Sequence, residues 1–191
     1  MIDSRSVRQA ALLAALIAAP GLQAAEVAGV RIDDAVKVGG SDLVLNGAGL
    51  RSKLFIKVYV GALYVGQKAG TPAAIYDSPA PRRMLMRMLR DMDAETLHGA
   101  LDEGLRNNLT PAELAAMQGP AGQLGALMKG IGKVREGDAV AIDFTADGVS
   151  VSLNNQVRGA VPGADFARAL LRVWLGDKPA DASLKKALLG N

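Results

Sequence analysis

The 191 residues hold 22 lysines and arginines against 19 aspartates and glutamates, a formal net charge of +3, with the two signs interleaved along the chain. One histidine and no cysteine exclude thiolate chemistry, disulfides, cysteine metal centres and multi-histidine metal sites, so no metal and no cofactor is expected. No basic stripe with interleaved aromatics occurs, and nucleic acid is not an expected partner.

The N terminus opens with a short segment carrying Arg5 and Arg8, runs through an Ala/Leu-rich stretch from Ala10 to Ala19, and ends in Pro20-Gly21 and Leu22-Gln23-Ala24-Ala25. A charged start, an apolar middle and small residues at the end form the layout of a secretory signal peptide. The apolar stretch is too short for a bilayer span, which needs ~20 residues. Residues 1–25 are therefore read as a leader cleaved after Ala24 or Ala25, and residues 26–191 as one domain exported to the periplasm. No later stretch reads as a membrane span, and the domain relies on its core for stability.

In chain order, Val27 to Ile32 and Ala35 to Val38 read as strands around an Asp33-Asp34 turn. A turn at Gly39-Gly40-Ser41-Asp42 leads to a short strand, Asp42 to Asn46. Asn46-Gly47-Ala48-Gly49 follows as a turn, and Leu50 to Val65 as the longest strand. Phe55, Lys57, Tyr59, Gly61, Leu63 and Val65 fall on one face of that strand; Leu54, Ile56, Val58, Val60 and Tyr64 fall on the other. Both faces are largely apolar, which predicts cover on both sides. Gly61 suits a bend or a close backbone approach. Pro72 to Tyr76 reads as a helical turn and Arg82 to Leu89 as a strand.

Asp93 is placed as the cap of a helix running to Asn108, with Leu97, Leu101 and Leu105 at helical spacing. Thr110-Pro111-Ala112-Glu113 has the residues of a second helix start. Gly119-Pro120 is expected to interrupt that helix before Leu124 to Met128. Strands return at Ala139 to Thr145, Val149 to Leu153 and Gln156 to Val161, joined by Asp147-Gly148 and Asn154-Asn155. Helices from Pro162 to Leu175 and from Ala180 to Leu189 close the chain. Strands, helices, strands and helices without β-α-β alternation predict an α+β domain, an antiparallel sheet with helices on one face.

Two segments carry a family likeness. Gly47-Ala-Gly49-Leu-Arg51 runs into Lys57-Val-Tyr59 and Leu63-Tyr64, and near the end Gly176-Asp-Lys-Pro179 precedes Ser183-Leu-Lys-Lys-Ala-Leu-Leu189. This pattern resembles the chalcone isomerase superfamily, most closely its bacterial exported members. The resemblance implies an open-faced β-sandwich, a large antiparallel sheet with a helical layer on one face, and a ligand cleft between them. In plant fatty-acid-binding members, an arginine and a tyrosine at the positions of Arg51 and Tyr59 hold a carboxylate. A guanidinium can engage a carboxylate through two parallel hydrogen bonds, and a phenol can add a third donor.

In plant chalcone isomerases the same arginine stabilises a developing enolate. A threonine on the next strand, a tyrosine and an asparagine from the following helix, and a polar residue near the C-terminal proline complete their site. Here Tyr59 stands at the threonine position, and the helix from Asp93 to Asn108 contains no tyrosine. Its positions two turns apart read as Leu97 and Gly104, and a slip of one residue would bring in His98 or Asn107. With most donors lost, catalysis by preorganised electrostatics is weakened.

The expectation is therefore binding of a small amphiphile or carboxylate, fatty-acid-like, without turnover. Arg51 and Tyr59 hold its head group, Lys53 and Lys57 add positive charge, and Phe55, Leu63 and the Met84–Met88 strand wall its tail. One alternative is an isomerase (intramolecular lyase) of the chalcone isomerase type on an unknown substrate, with Arg51 as its catalytic residue. Another is a structural or stress-related envelope protein with a filled pocket. His98 is read as a helix-flank residue.

Overall fold

The computed structural model describes residues 25–191; the leader and its cleavage site lie outside the described residues. Strands β1 (Ala25–Val27), β2 (Val30–Ile32), β3 (Ala35–Val38), β4 (Ser41–Lys53) and β5 (Ile56–Val65) come first. Helix α1 (Pro72–Asp77), β6 (Arg82–Met88), β7 (Met92–Asp93), α2 (Ala94–Asn108), α3 (Pro111–Ile131) and β8 (Lys133–Val134) follow. The chain closes with β9 (Ala139–Thr145), β10 (Gly148–Leu153), β11 (Gln156–Pro162), α4 (Ala164–Leu175) and α5 (Ala182–Leu188).

Seven strands form one sheet in the order β11-β10-β9-β6-β5-β4-β3, and every neighbouring pair is antiparallel. Helices α2 to α5 cover one face. Their core joins Tyr59, Leu63, Met84, Met86 and Met88 of the sheet to Leu97, Leu101 and Leu105 of α2 and to Phe166, Leu170 and Trp174 of α4. Phe166, Leu170 and Trp174 recur every four residues, the spacing that gives a helix one apolar stripe. On the other face a smaller cluster of Ile32, Val38, Leu43, Val60, Ala62 and Tyr64 is packed with Val27 and Val30 of the β1–β2 hairpin. Strand β5 is thus covered on both sides, as its two apolar faces require. The predicted α+β architecture is the one found. No helix among the described residues is long and apolar enough to cross a membrane.

Five local readings need correction, the smallest being the β9–β10 turn, which is Ala146-Asp147 and not Asp147-Gly148, because Gly148 pairs with Thr145 as the first residue of β10. The expected strand Leu50 to Val65 is a hairpin: β4 and β5 pair through Lys53 and Ile56, with Leu54 and Phe55 as a two-residue turn at φ +48° and +69°. Asn46 to Gly49 is not a turn but the middle of β4, whose glycines serve packing. A Cβ on Gly47 would fall 1.9 Å from the Ala187 carbonyl oxygen, and one on Gly49 would fall 2.6 Å from the Ala187 Cβ. Helix α5 lies that close to the strand, so side chains are excluded there. Val27 to Ile32 is likewise a hairpin, turning at Ala28-Gly29.

Helix α3, finally, runs through Gly119-Pro120 without a break. Its start carries the reciprocal Thr110–Glu113 capping bonds that satisfy two of the free amide donors at a helix end. Its second half is anchored in the core by Leu124 and Met128. Tertiary packing at that end overrides the weak intrinsic propensity of the Gly-Pro step.

Candidate functional site

Arg51 lies at the end of β4, where the ladder slips. It pairs with Tyr59, the next residue Ser52 pairs with Lys57, and Val58 is left as an extra residue on β5. A bulge of this kind re-aims side chains near the end of a sheet. The Arg51 Cζ lies 5.5 Å from the centroid of the Tyr59 ring, within range for attraction between a cation and an aromatic face. Tyr59 itself is 2% exposed, and its hydroxyl accepts a hydrogen bond from Trp174 Nε1 at 2.9 Å. Burial pushes the Tyr59 pKa up, opposed by the Arg51 charge and the Trp174 bond and helped by Asp181. The phenol is therefore neutral at ordinary pH.

Arg51, Ser52 and Lys53 form one wall of a cleft of about 160 Å³; Ala100, Glu103, Gly104 and Asn107 of α2 form the second, and Lys178 to Ala180 the third. Hydrogen bonds tie these walls together. Asn108 Nδ2 donates to the carbonyls of Gly104 at 2.9 Å and Lys178 at 2.7 Å, and the Lys178 amide donates back to Asn108 Oδ1 at 2.9 Å. The Ser52 amide donates to Asp181 Oδ2 at 3.3 Å, while Asp181 Oδ1 accepts from the Leu184 amide at 2.9 Å and so caps α5. The cleft is held by three elements that are fixed to one another.

Within it Arg51 makes no ion pair among the described residues. Its Nε is buried and has no hydrogen-bond partner. A buried donor without an acceptor costs about 1–3 kcal/mol, and more when the group is charged. Three cations, Arg51, Lys53 and Lys178, face a single carboxylate, Glu103. The chemistry of this hollow favours an anion of head-group size. Its volume is below the roughly 300–1,000 Å³ of sites that enclose a whole drug-sized ligand.

Of the residues predicted from sequence, Arg51 and Lys53 line the cleft, whereas Tyr59 lies beneath the guanidinium with its hydroxyl turned to Trp174. Lys57 is exposed on β5. Leu63, Met84, Met86 and Met88 are at most 1% exposed and form the helix-side core. Phe55 cannot be an apolar wall of the cleft, because it sits fully exposed at the tip of the β4–β5 hairpin. On α2, Gly104 faces the cleft as expected but Leu97 is in the core. Asn107 lines the cleft and Ala100 occupies the position two turns earlier. Helical spacing groups 100, 103, 104 and 107 on one face, a signal that becomes legible only once the buried stripe at 97, 101 and 105 is fixed.

Four larger hollows lie elsewhere among the described residues, two of about 250 and 210 Å³ and two bigger ones. One, about 420 Å³, runs between α2 and α3 past His98, Leu105, Leu114 and Met117, with His98 Nε2 3.4 Å from the Ala121 carbonyl oxygen. The other, about 440 Å³, lies beside Tyr76 and Arg172, and there Arg172 is already paired with Glu113 at 3.1 Å. The Tyr76 hydroxyl and Arg82 Nε are also buried without a partner, but the Arg82 guanidinium already donates to the carbonyls of Ile75, Tyr76 and Ser78. Of these hollows among the described residues, the Arg51 cleft is the one that joins a partnerless buried cationic donor to lysines outside any ion pair.

A seven-stranded antiparallel sheet, a helical layer on one face and an arginine cleft where they meet define an open-faced β-sandwich of the chalcone isomerase type. Residues 24–190 match the family described as chalcone isomerase-like, and the chain belongs to that family. Among solved structures it is similar to a fatty-acid binding protein of Arabidopsis thaliana, with 15% identity and a TM-score of 0.64. That match covers 84% of this chain and 92% of the plant protein. At that identity the likeness establishes the fold alone. No curated protein matches the chain.

Proposed function

We propose that this protein binds the anionic head group of a small carboxylate or amphiphile at Arg51, without chemical turnover, after export to the periplasm. The carrying observation is the Arg51 Nε, buried and unpartnered in a cleft with a surplus of positive charge. A bound carboxylate would satisfy that donor and could take the remaining guanidinium protons as a bidentate pair. Tyr59 supports the arginine from below through its ring. The cleft encloses a head group, so an alkyl tail would leave along the surface or require the core to part. The plant fatty-acid binding protein of similar fold is in keeping with such a ligand. Export is supported by the leader-like composition of the first 25 residues.

Small molecules extracted from the protein purified from its own cells test this reading by mass spectrometry. Wild type is expected to carry a carboxylate that falls at least tenfold in Arg51→Ala, the loss of one charge-assisted contact. Wild type without any carboxylate, or a variant that carries as much, would contradict it. An isomerase reading draws support from Asn107, which brings an amide to the cleft. It lacks a phenol at Ala100, and turnover of naringenin chalcone that disappears in Arg51→Ala would establish it instead. The reading as a protein with a filled pocket loses support because Arg51 has no ion-pair partner among the described residues.

A further inference from the structure

The β4–β5 hairpin ends in an unusual tip. Leu54 is 83% exposed, Phe55 102% and Ile56 50%, three consecutive members of a set of five exposed large apolar residues among the described ones. Singly exposed apolar residues are ordinary surface features; a contiguous tip is not. Its backbone makes the point more sharply. Four two-residue hairpin turns among the described residues place both residues at positive φ. Gly39-Gly40 and Asn154-Asn155 use residues suited to that conformation, and Ala28-Gly29 pairs a small side chain with a glycine. Only Leu54-Phe55 forces two bulky side chains into a region that disfavours them, where Asn-Gly is the preferred pair. Strain held against a readily available alternative points to a use for the side chains.

Charge identifies what the tip meets. Lys53 and Lys57 flank it on the two strands, both exposed and neither in an ion pair among the described residues. Lys178 lies nearby on the cleft rim, and Glu103 is the one acidic residue lining that cleft. Apolar side chains projecting past a collar of lysines match a bilayer surface with anionic head groups: the lysines meet the phosphates and the tip enters the acyl boundary. We infer that this protein docks peripherally on anionic lipid bilayers through Leu54, Phe55 and Ile56, with Lys53 and Lys57 at the phosphate level. Docking in this way sets the mouth of the Arg51 cleft at the membrane surface. The inference stands independently of what the cleft holds, because Leu54, Phe55, Ile56 and Lys57 take no part in lining it and Lys53 alone borders both.

Co-sedimentation with phosphatidylglycerol vesicles tests this, using wild type and variants isolated from the same cells in the same processed form. The double substitution Leu54→Asn with Phe55→Gly removes the apolar tip while installing the preferred turn, so it keeps the fold. Wild type is expected to sediment with these vesicles, more weakly with phosphatidylcholine and more weakly in high salt as the lysines are screened. The double variant should lose roughly 100-fold in binding, with an unfolding temperature equal to or above that of wild type. Lys57→Gln should lose roughly fivefold. Wild type that stays in the supernatant overturns the inference, and so does a double variant that binds as wild type does. Tip-dependent self-association in sedimentation velocity without lipid also overturns it, and assigns the tip to a second copy of the chain.

Discussion

Two polar side chains of β4, five residues apart and each beside a slip in the ladder, are handled in opposite ways. Asn46 is the extra residue where Leu45 pairs with Tyr64 and Gly47 with Leu63. Its Nδ2 donates to the carbonyls of Ala69 at 3.0 Å and Leu188 at 2.7 Å, and its Oδ1 accepts from the Ala69 amide at 2.8 Å. Every polar atom of that buried amide is used, and it ties the end of α5 and the loop after β5 to the sheet. Arg51, at the other slip, keeps a buried Nε with no partner and borders a hollow. A ladder slip thus serves stability at one end of the strand, where Asn46 is the extra residue, and borders an open site at the other, where the extra residue is Val58 of β5 and Arg51 stays paired with Tyr59. The satisfied amide of Asn46 is structural; the unpartnered Arg51 Nε borders a hollow and is open to an acceptor from outside the chain.

The largest stability effect is expected at the Asn46 end. Asn46→Ala strands two carbonyls and an amide, and urea unfolding should show a loss of about 3 kcal/mol with ligand content unchanged. Gly47→Ala should lose about 2–3 kcal/mol in the same measurement, because α5 must retreat from the new Cβ and a packed core resists such expansion. If either variant left stability intact, the structural half of the comparison would fail. Arg51→Ala, by contrast, should change stability by less than about 1 kcal/mol, since it removes a group whose hydrogen bonding is incomplete.

Which parts of this were legible in the sequence follows from which signals are local. Helix α2 begins after Asp93 and ends at Asn108, the span predicted, because its apolar spacing and flanking residues all lie within it. The β9–β10–β11 meander was nearly as plain: Asn154-Asn155 is the turn expected, while the other turn lies one residue earlier than Asp147-Gly148, at Ala146-Asp147. The β4–β5 hairpin was invisible for the reason that makes its tip interesting: Leu54-Phe55 carries no turn chemistry, so two strands read as one. Gly47 and Gly49 signalled a turn because glycine has two uses, and the close approach of α5, some 140 residues later in the chain, could not be seen locally. At the site, Arg51 was identified through a family likeness. Asn107 and Lys178 join it only because Asn108 pins the loop before α5 to α2, a contact between residues far apart in sequence. Tyr59 was expected to point at a ligand, and its partner Trp174 lies 115 residues away.

A smaller effect sharpens the role of Tyr59. Burial raises the pKa of Tyr59, and those of Tyr64 and Tyr76 to about 12, above the ordinary phenol value near 10. A proton held more tightly by the folded state gives stability that is complete below pH ~10 and is lost as the pH rises through the folded pKa. The unfolding temperature should therefore fall between pH 10 and about 12. In Tyr59→Phe that fall should be shallower, with a small uniform loss from the missing Trp174 bond. An unchanged alkaline slope in the variant would show that Tyr59 titrates as an exposed phenol, against its packing beneath Arg51.

The central claim is that Arg51 awaits an anion. In a ¹⁵N-labelled sample, the Nε–Hε resonance of Arg51, assigned by its absence in Arg51→Lys, reports directly on that donor. Titration with hexanoate should move it downfield in a saturable way, as the buried N–H gains a charged acceptor, while hexanol at the same concentrations should leave it in place. A resonance unmoved by hexanoate, or moved equally by hexanol, would contradict the claim.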